Sequence, residues 1–272
     1  MKYSKVTTVC FSPTGGTKRA AETLARELAK ALGVECGQID ITLPAAREKT
    51  HEFAADELVI FASPTYAGRV PNKIMPTFAE NFKGNGTAAV ALATFGNRSF
   101  QDSLSELGAL ARQNGFVVVG GASIVAEHVF SSSLAPGRPA ADDIEQIKDF
   151  AGKLAQKLSS AQQLQPVTLP GNDPVGPYYT PLGTDGQPAK FLKATPKTTD
   201  ECIECGQCAA VCPMGSIPAD NFHETCGVCI KCQACIKVCP VNAKYFDDAA
   251  FLSHVAMLEQ NYTARKENGF YL

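Results

Sequence analysis

Eight cysteines between residues 202 and 239 form two copies of the spacing C-x2-C-x2-C-x3-C-P, and nothing else in the chain constrains its fold as strongly. The first copy is Cys202, Cys205, Cys208 and Cys212 with Pro213; the second is Cys229, Cys232, Cys235 and Cys239 with Pro240. Three thiolates spaced in this way wrap one face of a four-iron cubane. The fourth, beyond a short turn and fixed by proline, is carried toward the other cluster. The spacing predicts two [4Fe–4S] clusters with crossed ligation, Cys202, Cys205, Cys208 and Cys239 on one and Cys229, Cys232, Cys235 and Cys212 on the other.

Two other uses of cysteine compete with this reading. Disulfide frameworks belong to small secreted domains, and the opening MKYSKVTTVCF lacks an apolar signal region with a cleavage site. Structural zinc favours isolated C-x2-C pairs, whereas here the full pattern is repeated and each copy ends in proline. Cys226 is a ninth thiol in the same stretch. A run begun from it loses the x3-C-P ending, so it is left without a ligand role.

At 272 residues the chain is long enough for two domains, and its net charge of −2 offers no basic stripe for nucleic acid. Its longest apolar stretches, such as residues 115–126, fall short of the roughly 20 residues that span a bilayer. So many reduced, metal-bound thiols point to a reducing, anaerobic cytoplasm.

In the first 160 residues, short apolar runs at 6–11, 34–39, 58–63, 88–94 and 116–125 alternate with helical patterns at 16–32, 72–82, 103–114 and 141–158. This alternation predicts right-handed βαβ units and a doubly wound, five-stranded parallel α/β sheet. Ligands of such sheets bind beyond the carboxyl ends of the strands, where the strand order reverses. Three loops therefore carry the chemistry. The first, Ser12-Pro13-Thr14-Gly15-Gly16-Thr17, places hydroxyls and backbone N–H groups at a helix start, which suits a terminal phosphomonoester. It also reads as a capped helix start with a glycine turn. The second, Pro64-Thr65-Tyr66-Ala67-Gly68, and the third, Thr94-Phe95-Gly96-Asn97-Arg98-Ser99-Phe100, combine glycine, a hydroxyl and an aromatic, two walls for a planar heterocycle.

On these motifs residues 1–160 resemble a flavodoxin, residues 200–247 resemble a bacterial two-cluster ferredoxin, and the whole chain resembles a family in which the two are fused. The resemblance implies strand order 2-1-3-4-5, FMN as cofactor, and a small α+β dicluster ferredoxin domain beside two [4Fe–4S] clusters. It assigns FMN to Ser12, Thr14, Gly15, Gly16 and Thr17 at the phosphate, and to Pro64, Thr65, Tyr66, Ala67 and Gly68 on one side of the ring. Thr94, Phe95, Gly96, Asn97, Arg98 and Phe100 take the other side, with Phe100 preferred to Phe95 for stacking. With no tryptophan in the chain, tyrosine or phenylalanine must do the stacking. Arg69 and Arg98 are expected either beside the flavin, where a cation raises its potential, or engaged with carboxylates or solvent. His128, just past the fifth strand, is expected either at the flavin edge as a proton donor or as an incidental loop histidine. Cys10 and Cys36 read as small buried hydrophobes.

Residues 161–199 form a proline-rich connector whose Tyr178, Tyr179, Phe191 and Leu192 predict packing over the domains rather than a free tether. Residues 248–272 are expected as a C-terminal helix and tail. Clusters move single electrons and FMN holds one or two, so the leading expectation is an electron-transfer protein passing electrons among two [4Fe–4S] clusters, FMN and a redox protein donor and acceptor. The alternative is a flavoenzyme reducing a small electrophile, a quinone or nitro compound. A homo-oligomer stays open.

Overall fold

The computed structural model describes residues 2–272. β1 (Lys5–Cys10), β4 (Glu57–Pro64), β6 (Thr87–Phe95) and β7 (Phe116–Val125) are near-continuous apolar runs, as strands covered on both faces must be, while β2 (Glu35–Asp40) is polar and lies at an edge. These five strands are parallel in the order β2-β1-β4-β6-β7, with the reversal between β1 and β4. α1 (Gly16–Leu32) and α4 (Ala141–Ser160) cover one face, α2 (Met75–Glu80) and α3 (Ser103–Gln113) the other, each with its own apolar cluster. α1 begins and ends where its glycines dictate. Gly33 takes a left-handed φ of 69° and turns its N–H back onto the carbonyls of Ala29 and Lys30.

The sheet departs from the sequence expectation in three places. A sixth strand, β10 (Gly269–Tyr271), pairs antiparallel with β7 and closes that edge, so the tail belongs to the α/β unit. The helix expected over 72–82 shrinks to α2, because residues 71–74 form a proline turn and β5 (Phe82–Gly84) follows at once, pairing with β3 (His51–Phe53) in a separate small sheet. Cys10 is buried as expected, but Cys36, on the edge strand β2, is exposed.

The connector runs over the α/β unit. Leu169 fills space above Gly108 and Gly121, Asn172 and Gly176 donate to Asp102, and the Tyr178 hydroxyl donates to the Val70 carbonyl at 2.8 Å. Burial pushes the Asp102 carboxyl up, yet the N–H donors from Asn172 and Gly176 outweigh it and hold the group below the usual carboxylate range.

The cysteine region is a pseudo-twofold unit. β8 (Lys197–Thr198) pairs antiparallel with β9 (Lys244–Tyr245), and α5 (Gln207–Ala210) and α6 (Ala234–Lys237) occupy equivalent places in the two copies. Left-handed residues recur in step, Glu204 with Lys231, Gly206 with Gln233 and Gly215 with Asn242. The N–H groups of Ser216 and Ala243 likewise meet Sγ of Cys212 and Cys239, at 3.3 and 3.2 Å. Met214 and Ile230 pack this unit onto the α2/α3 face, Arg47 reaches the Pro213 carbonyl, and Lys237 pairs with Glu127. α7 (Ala249–Asn261), capped by Asp248 through the Phe251 N–H at 2.8 Å, then leads back to β10.

Candidate functional site

The loops after β1, β4 and β6 converge on one cavity of about 790 Å³. At its phosphate end, Thr14, Gly15, Gly16 and Thr17 line the wall. Gly15 has φ 87°, and a Cβ there would meet no atom within 4 Å, so the backbone stands open to a ligand. The N–H groups of Gly16 and Thr17 have no partner among the described residues, and no carboxylate sits in the first turn of the 17-residue helix α1. Free N–H groups at the positive end of a helix dipole match a phosphate. Ser12 does a different job from the one expected. Its Oγ accepts the Lys18 N–H at 3.0 Å and caps the helix from below, outside the cavity lining.

The second loop is a tight reversal in which Tyr66 and Arg69 exchange backbone hydrogen bonds, with Ala67 at φ 49° and Gly68 at φ 81°. The positive φ of Gly68 is what the turn needs glycine for, and a Cβ there would also push aside the end of the Gln101 side chain. The loop is pinned from α3. Thr65 and Ser103 share a hydroxyl bond of 2.6 Å, and Glu106 receives the Arg69 guanidinium from two nitrogens and the Val70 N–H at 2.9 Å. Arg69 is thereby neutralised by a carboxylate and stacked at 4.5 Å on Tyr178, not offered to the cavity. Glu106→Gln removes charge-assisted bonds worth about 1.5–3 kcal/mol each to this loop. We expect about tenfold weaker FMN retention, a loss of ~1.4 kcal/mol, read by flavin fluorescence on dilution; unchanged retention would show that the loop holds its shape without Glu106.

In the third loop Thr94, Phe95, Gly96 and Arg98 face the cavity. Thr94 Oγ1 lies 2.6 Å from Thr17 Oγ1, tying this loop to the phosphate end. Phe95 takes the wall position expected of Phe100, which instead packs beside it with ring centroids 5.4 Å apart. Asn97 turns away and holds the tail, donating to the Tyr262 and Ala264 carbonyls and accepting from the Lys266 N–H. Arg98 keeps its charge at the cavity with no carboxylate partner among the described residues, its guanidinium 3.9 Å above the Tyr179 ring and bonded to Gln101. Burial depresses its pKa.

Much of the remaining wall comes from outside the α/β unit. Tyr178, Tyr179 and Phe191 of the connector, His254 of α7, and residues 228–231 of the cysteine region all line the cavity. His128 packs over Gly96, where a Cβ would lie 2.5 Å from its ring, and accepts the Phe130 N–H at Nδ1, leaving the proton on Nε2. Burial, with His254 and Arg98 adding to it, lowers its pKa to about 4, so the ring is neutral at pH 7. His254 bonds the Leu182 carbonyl through Nδ1, and burial lowers its pKa too. The paired tyrosines were visible as an apolar interruption of a proline-rich stretch. His254 carried no signal, since one histidine in a helix looks like any other.

The cysteines surround two small spaces beside this cavity. Cys202, Cys205, Cys208 and Cys239 line one; Cys212, Cys229, Cys232 and Cys235 line the other. Among the described residues no three His, Cys, Asp or Glu side chains converge as a single-ion site. Two buried polar atoms on the wall of the second space, Gln233 Nε2 and Thr225 Oγ1, have no hydrogen-bond partner, as expected where cluster sulfur would accept. Cys226 lines neither space and its thiol points to Glu224. Residues 196–217 and 227–242 each match a 4Fe-4S binding domain. The chain joins a flavodoxin-like sheet to two 4Fe-4S binding domains.

The α/β unit is similar to solved flavodoxins. One is a flavodoxin from the domain Archaea, with 18% identity and a TM-score of 0.38, covering 57% of this chain and 99% of that one. Another is from Streptococcus pneumonia TIGR4, with 20% identity and a TM-score of 0.39, covering 57% and 99%. A third similar structure is an NADH:FMN oxidoreductase, EMOB, in its apo form, with 18% identity and a TM-score of 0.43, covering 59% and 92%. No curated protein matches the sequence. Among the described residues no helix is long and apolar enough to cross a membrane.

Proposed function

We propose that this fusion protein is an electron conduit in which an external one-electron donor protein reduces the clusters, the second cluster reduces FMN in the large cavity, and FMN passes electrons to a redox protein acceptor. The observation that carries the reading is shared geometry: Val228, Cys229, Ile230 and Lys231 border both the second cluster space and the large cavity. The second cluster and the flavin then have one layer of residues between them. When bound, FMN supplies the conversion between one-electron and two-electron transfer. The chain's part is to hold the phosphate at the start of α1, to seat the ring between the Tyr66 and Phe95 loops, and to keep the unpaired Arg98 charge beside it. A fixed cation favours the more negative, reduced flavin and makes transfer from cluster to flavin downhill. Such a protein works in a reducing, anaerobic cytoplasm.

A second reading, reduction of a small electrophile such as a quinone or nitro compound, is supported by the roof of the cavity. Tyr179, Phe191 and His254 line the cavity beside neutral His128, whose Nε2 carries the proton. Anaerobic purification with iron, sulfide and flavin quantification, followed by spectroscopic redox titration, tests the common part. About eight irons, as two four-iron clusters require, one FMN, and clusters titrating below the flavin are expected; zinc without flavin would overturn both readings. Exchange with acceptor proteins and no saturable turnover of small acceptors supports the conduit, and saturable turnover with one small molecule supports the enzyme.

A further inference from the structure

The two ferredoxin repeats place left-handed residues and short helices at matching positions, so a side chain present in one and absent from the other at an equivalent position stands out. Gly206 follows the second cysteine of the first repeat with φ 72°; Gln233 follows the second cysteine of the other with φ 63°. The left-handed region suits glycine and disfavours a long side chain such as glutamine. Nothing in the backbone requires glutamine at that place. Its side chain is nonetheless ordered inward: Gln233 is 6% exposed, borders the space enclosed by Cys212, Cys229, Cys232 and Cys235, and its Nε2 has no hydrogen-bond partner among the described residues. A buried amide donor without an acceptor is costly unless the occupant of the adjoining space accepts from it.

Resting on the cluster assignment above, we propose that Gln233 is a tuning residue that donates an N–H···S hydrogen bond to the second cluster and raises its reduction potential without affecting the first. Reduction adds one electron to the cluster, makes no bond and moves no proton. The added negative charge strengthens the hydrogen bond, so the donor favours the reduced form. The first cluster has no equivalent donor at Gly206. Its neighbourhood is set instead by Lys244, buried on the wall of that space with Nζ held by Thr198 Oγ1 and the Phe222 carbonyl. The cluster that borders the flavin cavity thus carries its own adjustment, separate from that of its twin.

The test is an anaerobic redox titration of the full-length holoprotein and of Gln233→Gly and Gln233→Leu, followed by EPR with dithionite and mediators. The transitions are assigned from Cys229→Ala, which retains the first cluster alone. Glycine suits the local φ, so Gln233→Gly keeps or gains thermal stability; Gln233→Leu keeps the bulk and loses only the donor. In both variants the second cluster titrates at lower potential than in the parent while the first is unmoved, and an exchangeable-proton coupling to the second cluster in the parent disappears. Two intact clusters with neither potential shifted, or with both shifted equally, overturns the role of Gln233. A parent protein without two clusters overturns the cluster assignment itself.

Discussion

Cys229→Ala should remove about four of the eight irons that two cubanes bring and leave FMN bound but cut off from the remaining cluster. Among the described residues Cys229 is the one thiol that borders both the second cluster space and the large cavity, so in the proposed relay the lesion falls on the link nearest the flavin. The phosphate loop and the Tyr66 and Phe95 loops belong to the α/β unit and keep their shape, which is why flavin content should hold. Flavin reduction through the clusters, followed by stopped flow with a one-electron donor protein, should slow by at least about tenfold, an added barrier of ~1.4 kcal/mol or more. Cys226→Ser is the matched control, since that thiol lines neither space, and it should change neither iron content nor rate. Equal losses in both variants would sink the assignment of Cys229 as a ligand.

The largest loss of stability should come from Asp143→Ala. The Asp143 side chain is fully buried and its two oxygens accept from Arg138 Nε and Nη2, the Ala140 N–H at 2.7 Å and Asn268 Nδ2 at 2.8 Å. Truncation leaves the Arg138 charge, itself 5% exposed, without its counter-ion. Removing one partner of a buried pair costs about 3–5 kcal/mol, a large fraction of the ~5–15 kcal/mol that holds a domain folded. The same cluster fastens the tail, because Arg138 also donates to the Lys266 carbonyl and Asn268 accepts from the Val125 N–H. Urea unfolding should report the loss, and limited proteolysis should find residues 262–271 newly cleavable. The pH dependence has a definite sign. Burial raises the Asp143 carboxyl, but the Arg138, Ala140 and Asn268 hydrogen bonds outweigh it and set its pKa below the ordinary value. Its contribution is full above the unfolded carboxylate pKa of about 3.9 and drains away as pH falls through the lower folded value. Asp143→Ala should lack that acid-side loss, and an unchanged acid profile would refute the assignment.

The parts of the molecule that read clearly from sequence are those where a residue type is forced by chemistry or by backbone. Cubane ligands must be thiolates at fixed spacing, and a phosphate loop must have glycine where Gly15 turns left-handed. The strands covered on both faces had to be apolar throughout, and they were placed to within a residue or two. What stayed hidden was decided by tertiary partners. Phe95 and Phe100 are five residues apart in a loop, and only the packing of Phe100 against the α2/α3 face settles which of them borders the cavity. For Arg69 a place beside the flavin and a carboxylate partner both stand open from sequence, because nothing local reveals that Glu106 lies beneath it. Ser12 and Asn97 resemble ligand donors in type, but one caps α1 and the other holds the tail. The strand β10 is three residues long and follows a polar stretch, too short for any periodicity to register.

That last strand has a consequence for how the protein is made. Residues 269–271 pair with residues 121–123, so the sheet begun at residue 5 has an open edge until the whole cysteine region has left the ribosome. An edge of that kind invites pairing with other chains until the tail arrives. Chain direction therefore sets one order: the tail can seal this edge only after all eight motif cysteines have been synthesised.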